Sequence, residues 1–319
     1  MKTRLRLGVI GTGLAAHLLY LPALKKLRYR IEIVACANRT RHKAEHFARL
    51  VGCPLVVDTP EELLDLDQVQ AVLISLPIDV QPQYVKSALR AGKAVLSEKP
   101  VGPSVISAKR LIKSTVRYQS PWMVGENFHF MPHVRRLTQW IAAGRLGDLR
   151  VLAAVQINKM DRKNPYFQTR WRREPQFTGG FVSDAGVHLA HVVRLIAGMP
   201  EHVVSHTAQF DPELPPMDSA IALMTFSSGL LGTWTSCFSG HYHGPMLRVS
   251  GSRGAAELGW NKATLWDSRG KVTVFETAVD SFYAQFEHFA NVVCKGETPA
   301  VTPQDALQDL LLMEALIGA

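Results

Sequence analysis

Asp184 and His188 stand four residues apart in a run that reads as a helix, so both side chains fall on one face. An imidazole titrates near neutral pH and can pass a proton while a hydride moves. A helix-capping Asp and a half-buried His would give the same spacing. His191, one turn further on, raises a metal set of Asp184, His188 and His191, but no other ligand is indicated and no metal is expected. His241 and His243 read as loop residues. A second chemical group is Lys99, in Ser97-Glu98-Lys99-Pro100 at the end of a strand-like run, where open α/β sheets place ligands. Pro100 disfavours helical backbone at Lys99 and permits a cis peptide bond, which fixes how the ammonium projects. Arg170, Arg172 and Arg173 either bind a substrate anion or are surface charge, and Arg172 is carried forward as a substrate-binding candidate.

Near the N-terminus, Gly11-Thr12-Gly13-Leu14-Ala15-Ala16 follows a strand start and opens a helix. The pattern is GxGxxA. Gly11 permits a tight turn, Gly13 lets the backbone approach a pyrophosphate, and Ala16 lets the helix pack closely on the strand. Free amides at the helix start favour the anion. At the end of the next strand, an NAD site usually carries Asp or Glu to hold the ribose hydroxyls. Here Asn38 stands in that place, followed by Arg39. A neutral residue removes repulsion toward a 2′-phosphate, and Arg can bind that phosphate by two parallel hydrogen bonds. The expected cofactor is therefore NADP, with NAD as the alternative. The cofactor-binding candidates are Gly11, Thr12, Gly13, Leu14, Ala15, Asn38, Arg39, Ser75, Leu76, Pro77, Glu98 and Lys99.

These groups need a scaffold, and the apolar pattern supplies one. Strand-like runs at 5–10, 31–37, 71–76, 94–96 and 122–124 alternate with helical spacing at 14–27, 43–51, 80–91 and 104–118. That rhythm predicts βαβ units and a doubly wound parallel sheet. After about residue 125 it changes. Helical runs at 130–143 and 183–196 are followed by consecutive strand candidates between 203 and 276, and two helices (282–294 and 304–317) close the chain. Consecutive strands without helices predict a mainly antiparallel or mixed sheet in an α+β domain. The expected division is 1–124 for dinucleotide binding and 125–319 for substrate binding and oligomerisation.

The 319 residues exceed what one core usually holds, which agrees with two domains. With 47% hydrophobic and 20% charged residues, the chain has material for a sizeable core. No run reaches a membrane span, and the basic N-terminus enters a strand-like run without a signal-peptide pattern, so a cytoplasmic location is expected. Four scattered cysteines argue against a disulfide framework or structural zinc. The net charge of +9 falls largely near the N-terminus, but no nucleic-acid motif accompanies it.

Together the opening glycine turn, residues 91–100 ending in Glu98-Lys99-Pro100, Gly125-Glu126-Asn127, Gly144-Arg145-Leu146-Gly147, Trp171-Arg172, and Gly179-Gly180 leading to Asp184 and His188 resemble the Gfo/Idh/MocA oxidoreductase family. The resemblance runs over nearly the whole chain. It implies a dinucleotide-binding N-terminal domain and a C-terminal α/β domain whose large sheet turns one open face to a dimer contact, hence a homodimer or homotetramer. It implies that Lys99, Asp184 and His188 line the nicotinamide and the reacting carbon, with Asn127 and Arg172 on the substrate side. The implied reaction is hydride transfer at a secondary alcohol of a small polar substrate such as a sugar, cyclitol or derivative. An NAD-assisted glycosidase and a non-catalytic NADP-binding regulator are the alternatives. Two departures stand out: Ile78 and Gln81 where many relatives have Asn and His, and His191 where the helix often carries Asp.

Overall fold

In the computed structural model, which describes residues 4–278 and 280–319, the chain divides into two compact units. The first comprises residues up to 127 together with 280–307, and the second comprises 128–279 and 308–319.

Leu5, Leu7, Val9 and Ile10 of β1 (Leu5–Ile10) have no exposed surface, the mark of a strand covered on both faces. β1 enters a π-helical segment (Ala16–Tyr20) that continues into α1 (Leu21–Lys26). Then follow β2 (Ile31–Ala37), α2 (Arg41–Val51), β3 (Val56–Val57), α3 (Pro60–Leu64), β4 (Ala71–Ile74), α4 (Gln81–Arg90), β5 (Ala94–Ser97), α5 (Val105–Thr115) and β6 (Trp122–Val124). The strands pair in the order β3-β2-β1-β4-β5-β6, all parallel. The order reverses between β1 and β4, so the crevice beyond their carboxyl ends is where such a sheet takes a ligand. The sequence reading anticipates the helices and strands of this rhythm but omits β3 and α3, which are two and five residues long and too short to show a period.

A 3-10 turn (Asn127–Phe130) leads into α6 (Pro132–Ala142) and β7 (Leu149–Ile157). A single helical turn, α7 (Arg170–Arg173), precedes α8 (Gly180–Ala197). The strands β8 (His202–Ala208), β9 (Ser219–Thr225), β10 (Leu231–Cys237), β11 (Leu247–Gly251), β12 (Gly254–Leu258), β13 (Lys262–Asp267) and β14 (Val272–Glu276) follow. They join β7 in one eight-stranded sheet, ordered β14-β13-β12-β11-β7-β10-β9-β8. Only β7 and β10 pair in parallel. β13 escapes the sequence reading, because Lys262 and Asp267 bound a run of only four residues.

One face of this sheet packs on α8. Gly186 permits the close approach: a Cβ there would sit 2.9 Å from the Met313 sulfur and 3.4 Å from the Trp234 ring. Met224, Leu230 and Trp234 all lie in this core. The opposite face is apolar and exposed at Val204, Ile221, Leu223 and Leu231, as the alternation of β9 and β10 dictates. Two helices end the chain, α9 (Ser281–Lys295) and α10 (Pro303–Leu316). The sequence division places everything after residue 124 in one domain, whereas Asp280–Leu307, including α9, groups with the first unit. Among the described residues no helix is long and apolar enough to cross a membrane.

Candidate active site

The glycine turn sits at the reversal point of the parallel sheet. The Gly11 amide donates to Ala37 O (2.9 Å) and the Ser75 amide to Ile10 O (2.8 Å), which ties the ends of β1, β2 and β4 together. Gly11 has φ +94°, and a Cβ there would lie 2.1 Å from Ser75 O and 2.9 Å from Leu76, so no other residue fits. At Gly13 the opposite holds: nothing stands within 4 Å of a Cβ, leaving backbone open to a ligand. Thr12 is buried, and its amide donates to Asn38 Oδ1 at 3.2 Å. Asn38 Nδ2 donates to Thr40 O at 3.1 Å. Asn38 thus braces the turn from the end of β2. Arg39, beside it, is exposed, and among the described residues no hydrogen bond or ion pair engages it. A tight turn, an open glycine and helix amides beyond it fit the pyrophosphate of a dinucleotide.

Leu14 and Ala15, both half-buried, open the helix that follows. His17 turns its Nδ1 back to Gly13 O (3.0 Å) and stacks on His46, with ring centroids 5.5 Å apart. Neither contact is visible in the sequence pattern.

Lys99 follows the end of β5 and is half-buried. The peptide bond to Pro100 is cis. Gln81 straddles the lysine: its Nε2 donates to Glu98 O (2.9 Å) and to Pro100 O (3.1 Å). Gln81, at the start of α4, thus holds the backbone on both sides of Lys99. Pro77, which accepts the Gln81 amide at 2.9 Å, anchors that helix start. Glu98 receives the Tyr20 hydroxyl on one oxygen and the Lys99 amide on the other, at 3.3 Å. Tyr20 is buried edge-on against Phe282 and Phe286 of α9. A spacing of 78 residues between Tyr20 and Glu98 leaves no signal in the sequence.

Asn127 directs its Nδ2 to the buried Ser281 Oγ at 3.0 Å. Its amide nitrogen therefore ties the chain after β6 to the first turn of α9.

In the second unit, Asp184 and His188 do share one face of α8. Arg172 of α7 donates its Nε to Asp184 Oδ2 at 2.7 Å, and the two side chains are only 13% and 7% exposed. The Arg172 guanidinium also lies 3.9 Å above the Trp171 ring. Arg170 pairs with Glu174. The Arg172–Asp184 pairing, which joins α7 to α8, is not legible in the run of arginines. His188 stacks on Phe128, with centroids 4.7 Å apart and planes 15° apart. Phe128 also meets the Trp260 ring edge-on.

Phe128 and Trp260 border a small open pocket of about 30 Å³, together with Tyr242, Leu189, Gln156 and Asn158. None of its lining residues is charged. Gln156 Nε2 donates to Ala185 O at 3.1 Å, while its Oε1 is buried without a partner. His191 does not join Asp184 and His188 in a metal set; its Nδ1 bonds Asp309 at 2.8 Å. Among the described residues no group of three His, Cys, Asp or Glu could hold a metal ion.

Comparison with known proteins now places the chain. The model of an oxidoreductase family's NAD-binding Rossmann fold matches residues 5–126, and that of the same family's C-terminal α/β domain matches residues 139–319. A solved oxidoreductase from Thermotoga maritima is similar with a TM-score of 0.93 and 33% identity, covering 98% of this chain and 96% of that one. A 3-ketoreductase from Actinomadura kijaniata, solved with NADP and TDP-benzene, is similar with a TM-score of 0.84 and 25% identity over 98% and 97% of the two chains. A dehydrogenase of Fusarium mangiferae is 27% identical over 98% of this chain and 95% of its own. The chain belongs to the Gfo/Idh/MocA oxidoreductase family and is an NAD(P)-dependent oxidoreductase.

Proposed function

We propose that the enzyme moves a hydride between NADP and a secondary alcohol or ketone carbon of a small neutral polar substrate, such as a sugar or cyclitol. The observation that carries this reading is His188, stacked on the aromatic wall of an uncharged pocket one helical turn after the buried Asp184–Arg172 pair. The bound nicotinamide supplies the hydride acceptor or donor at C4. His188 takes the hydroxyl proton as the alcohol becomes a carbonyl, and returns it in reduction. The Lys99 ammonium holds the same oxygen and stabilises charge that develops there. Gln81 and Glu98 hold the Lys99 backbone, so the ammonium starts from a fixed point. Asp184, oriented by Arg172, accepts a hydrogen bond from a neighbouring substrate hydroxyl.

Arg172 is paired with Asp184 and Arg170 with Glu174, which supports a neutral substrate over an anionic one. Arg39 supports NADP, as does the relative solved with NADP. The exposed apolar sheet face supports a homodimer or a homotetramer.

The test is a panel of neutral polyols, sugars and their ketones, read by NADPH absorbance. Lys99→Ala should lower turnover about a hundred- to a thousandfold while NADP still binds. His188→Asn, which removes the proton acceptor, should lower turnover by about a hundredfold or more while NADP still binds. Unchanged turnover in both variants would withdraw the assignment.

A further inference from the structure

Behind His188 lies a second, buried histidine chain that the reaction above does not use. Asp309 of α10 is 1% exposed and accepts two hydrogen bonds, from Arg194 Nε at 2.7 Å and from His191 Nδ1 at 2.8 Å. A carboxylate held by a guanidinium only accepts, so the His191 proton sits on Nδ1. That leaves the His191 Nε2 lone pair as an acceptor. His129 Nδ1 lies 3.1 Å from it and is the donor when His191 is neutral. With a neutral His191, His129 donates to His191, and His191 donates to Asp309.

His129 follows Phe128 in the 3-10 turn, and His191 follows His188 by three residues on α8. The turn and the helix thus meet at two neighbouring points. At one, the Phe128 ring stacks on His188. At the other, His129 bonds His191. An aromatic stack is soft in sliding and rotation, whereas a hydrogen bond between two rings has a narrow range of distance and angle. The stiff contact sets the register of the soft one.

We propose that Asp309, His191 and His129 are positioning residues for His188: the chain anchored on Asp309 locks the turn against α8 and so holds Phe128 flat on the His188 ring. The proposal rests on His188 being the acid–base group only for its catalytic consequence; the positioning itself is a statement about geometry.

The test reads His188 directly. In protein labelled with ¹³C-histidine and saturated with NADP, the His188 Cε1–H resonance, assigned by its loss in His188→Asn, carries the ring-current shift of a stacked phenyl group. Phe128→Leu defines the position without the stack. His129→Leu should move the resonance most of the way to that position. His129→Asn, whose amide nitrogen replaces Nδ1, should keep it close to wild type. His191→Phe, which preserves ring volume and removes both bonds, should behave like His129→Leu, and if it fails to fold, the His129 pair decides alone. An unshifted resonance in His129→Leu, or equal shifts in the Asn and Leu variants, would overturn the proposal. Full turnover by His188→Asn would instead withdraw the catalytic reading while leaving this geometric result standing.

Discussion

Cofactor choice tests the residue-level reasoning most sharply. Asn38 braces the glycine turn through Thr12 N and its own β2 end through Thr40 O, so its amide has two committed partners. Arg39 is the exposed guanidinium beside it, and Arg41 does not replace it, being bound to both Glu45 and Asp58. If Arg39 grips a 2′-phosphate, its loss removes a charge-assisted hydrogen bond worth about 1.5–3 kcal/mol. Arg39→Ala should then weaken NADP by about ten- to a hundredfold and leave NAD within about threefold. The difference should shrink in high salt, since the group is exposed. Asn38→Asp keeps the acceptor for Thr12 but loses the donor to Thr40 and sets a carboxylate against that carbonyl. The lost neutral bond costs the fold about 0.5–1.5 kcal/mol in free and bound protein alike, and the new charge repels NADP while offering NAD's ribose an acceptor. The double variant should therefore prefer NAD. Dissociation constants for both cofactors, measured by calorimetry on the four proteins, give the answer. A wild type that already prefers NAD, or an Arg39→Ala variant that weakens both equally, would refute a phosphate-reading Arg39.

Three further outcomes follow from the packing. Arg172→Met leaves the buried Asp184 charge without its guanidinium and should cost about 3–5 kcal/mol in urea unfolding; a loss below about 1 kcal/mol would show that water reaches the pair. His133 is 4% exposed with both ring nitrogens unpartnered, and burial pushes its pKa below the ordinary value. The unfolded chain then binds the proton more readily, so stability is complete above about pH 6.5 and declines as pH falls below it. His133→Leu should raise Tm more at pH 5 than at pH 8, and an equal gain at both would contradict the argument. Leu223→Glu with Ile221→Glu places charge on the exposed sheet face, and light scattering should report a smaller particle than wild type; a wild type that is already a monomer would exclude this face as the interface.

Much of the fold was legible because secondary-structure periodicity is a local property of the chain. The nearly continuous apolar runs of β1 and β4 announce strands covered on both faces, and the alternation with helical spacing announces a parallel sheet. The glycine turn was legible for a related reason: GxGxxA encodes backbone freedom, and the +94° φ of Gly11 realises it locally. The four-residue step from Asp184 to His188 needs only the pitch of a helix.

What the tertiary structure decided is who touches whom. Arg172 could have faced solvent or an anion; the packing of α7 beside α8 gives it to Asp184. Asn38 could have met a ribose directly, yet the approach of β2 to the glycine turn gives its oxygen to Thr12. Met224 and Leu223 are adjacent and equally apolar, and only the pleat of β9 sends one inward and leaves the other exposed. Phe128 and His188, sixty residues apart in the chain, meet only once the turn after β6 is laid against α8. Each of these partnerships depends on distances between elements, and those distances arise only when burial of the apolar faces fixes how the elements pack.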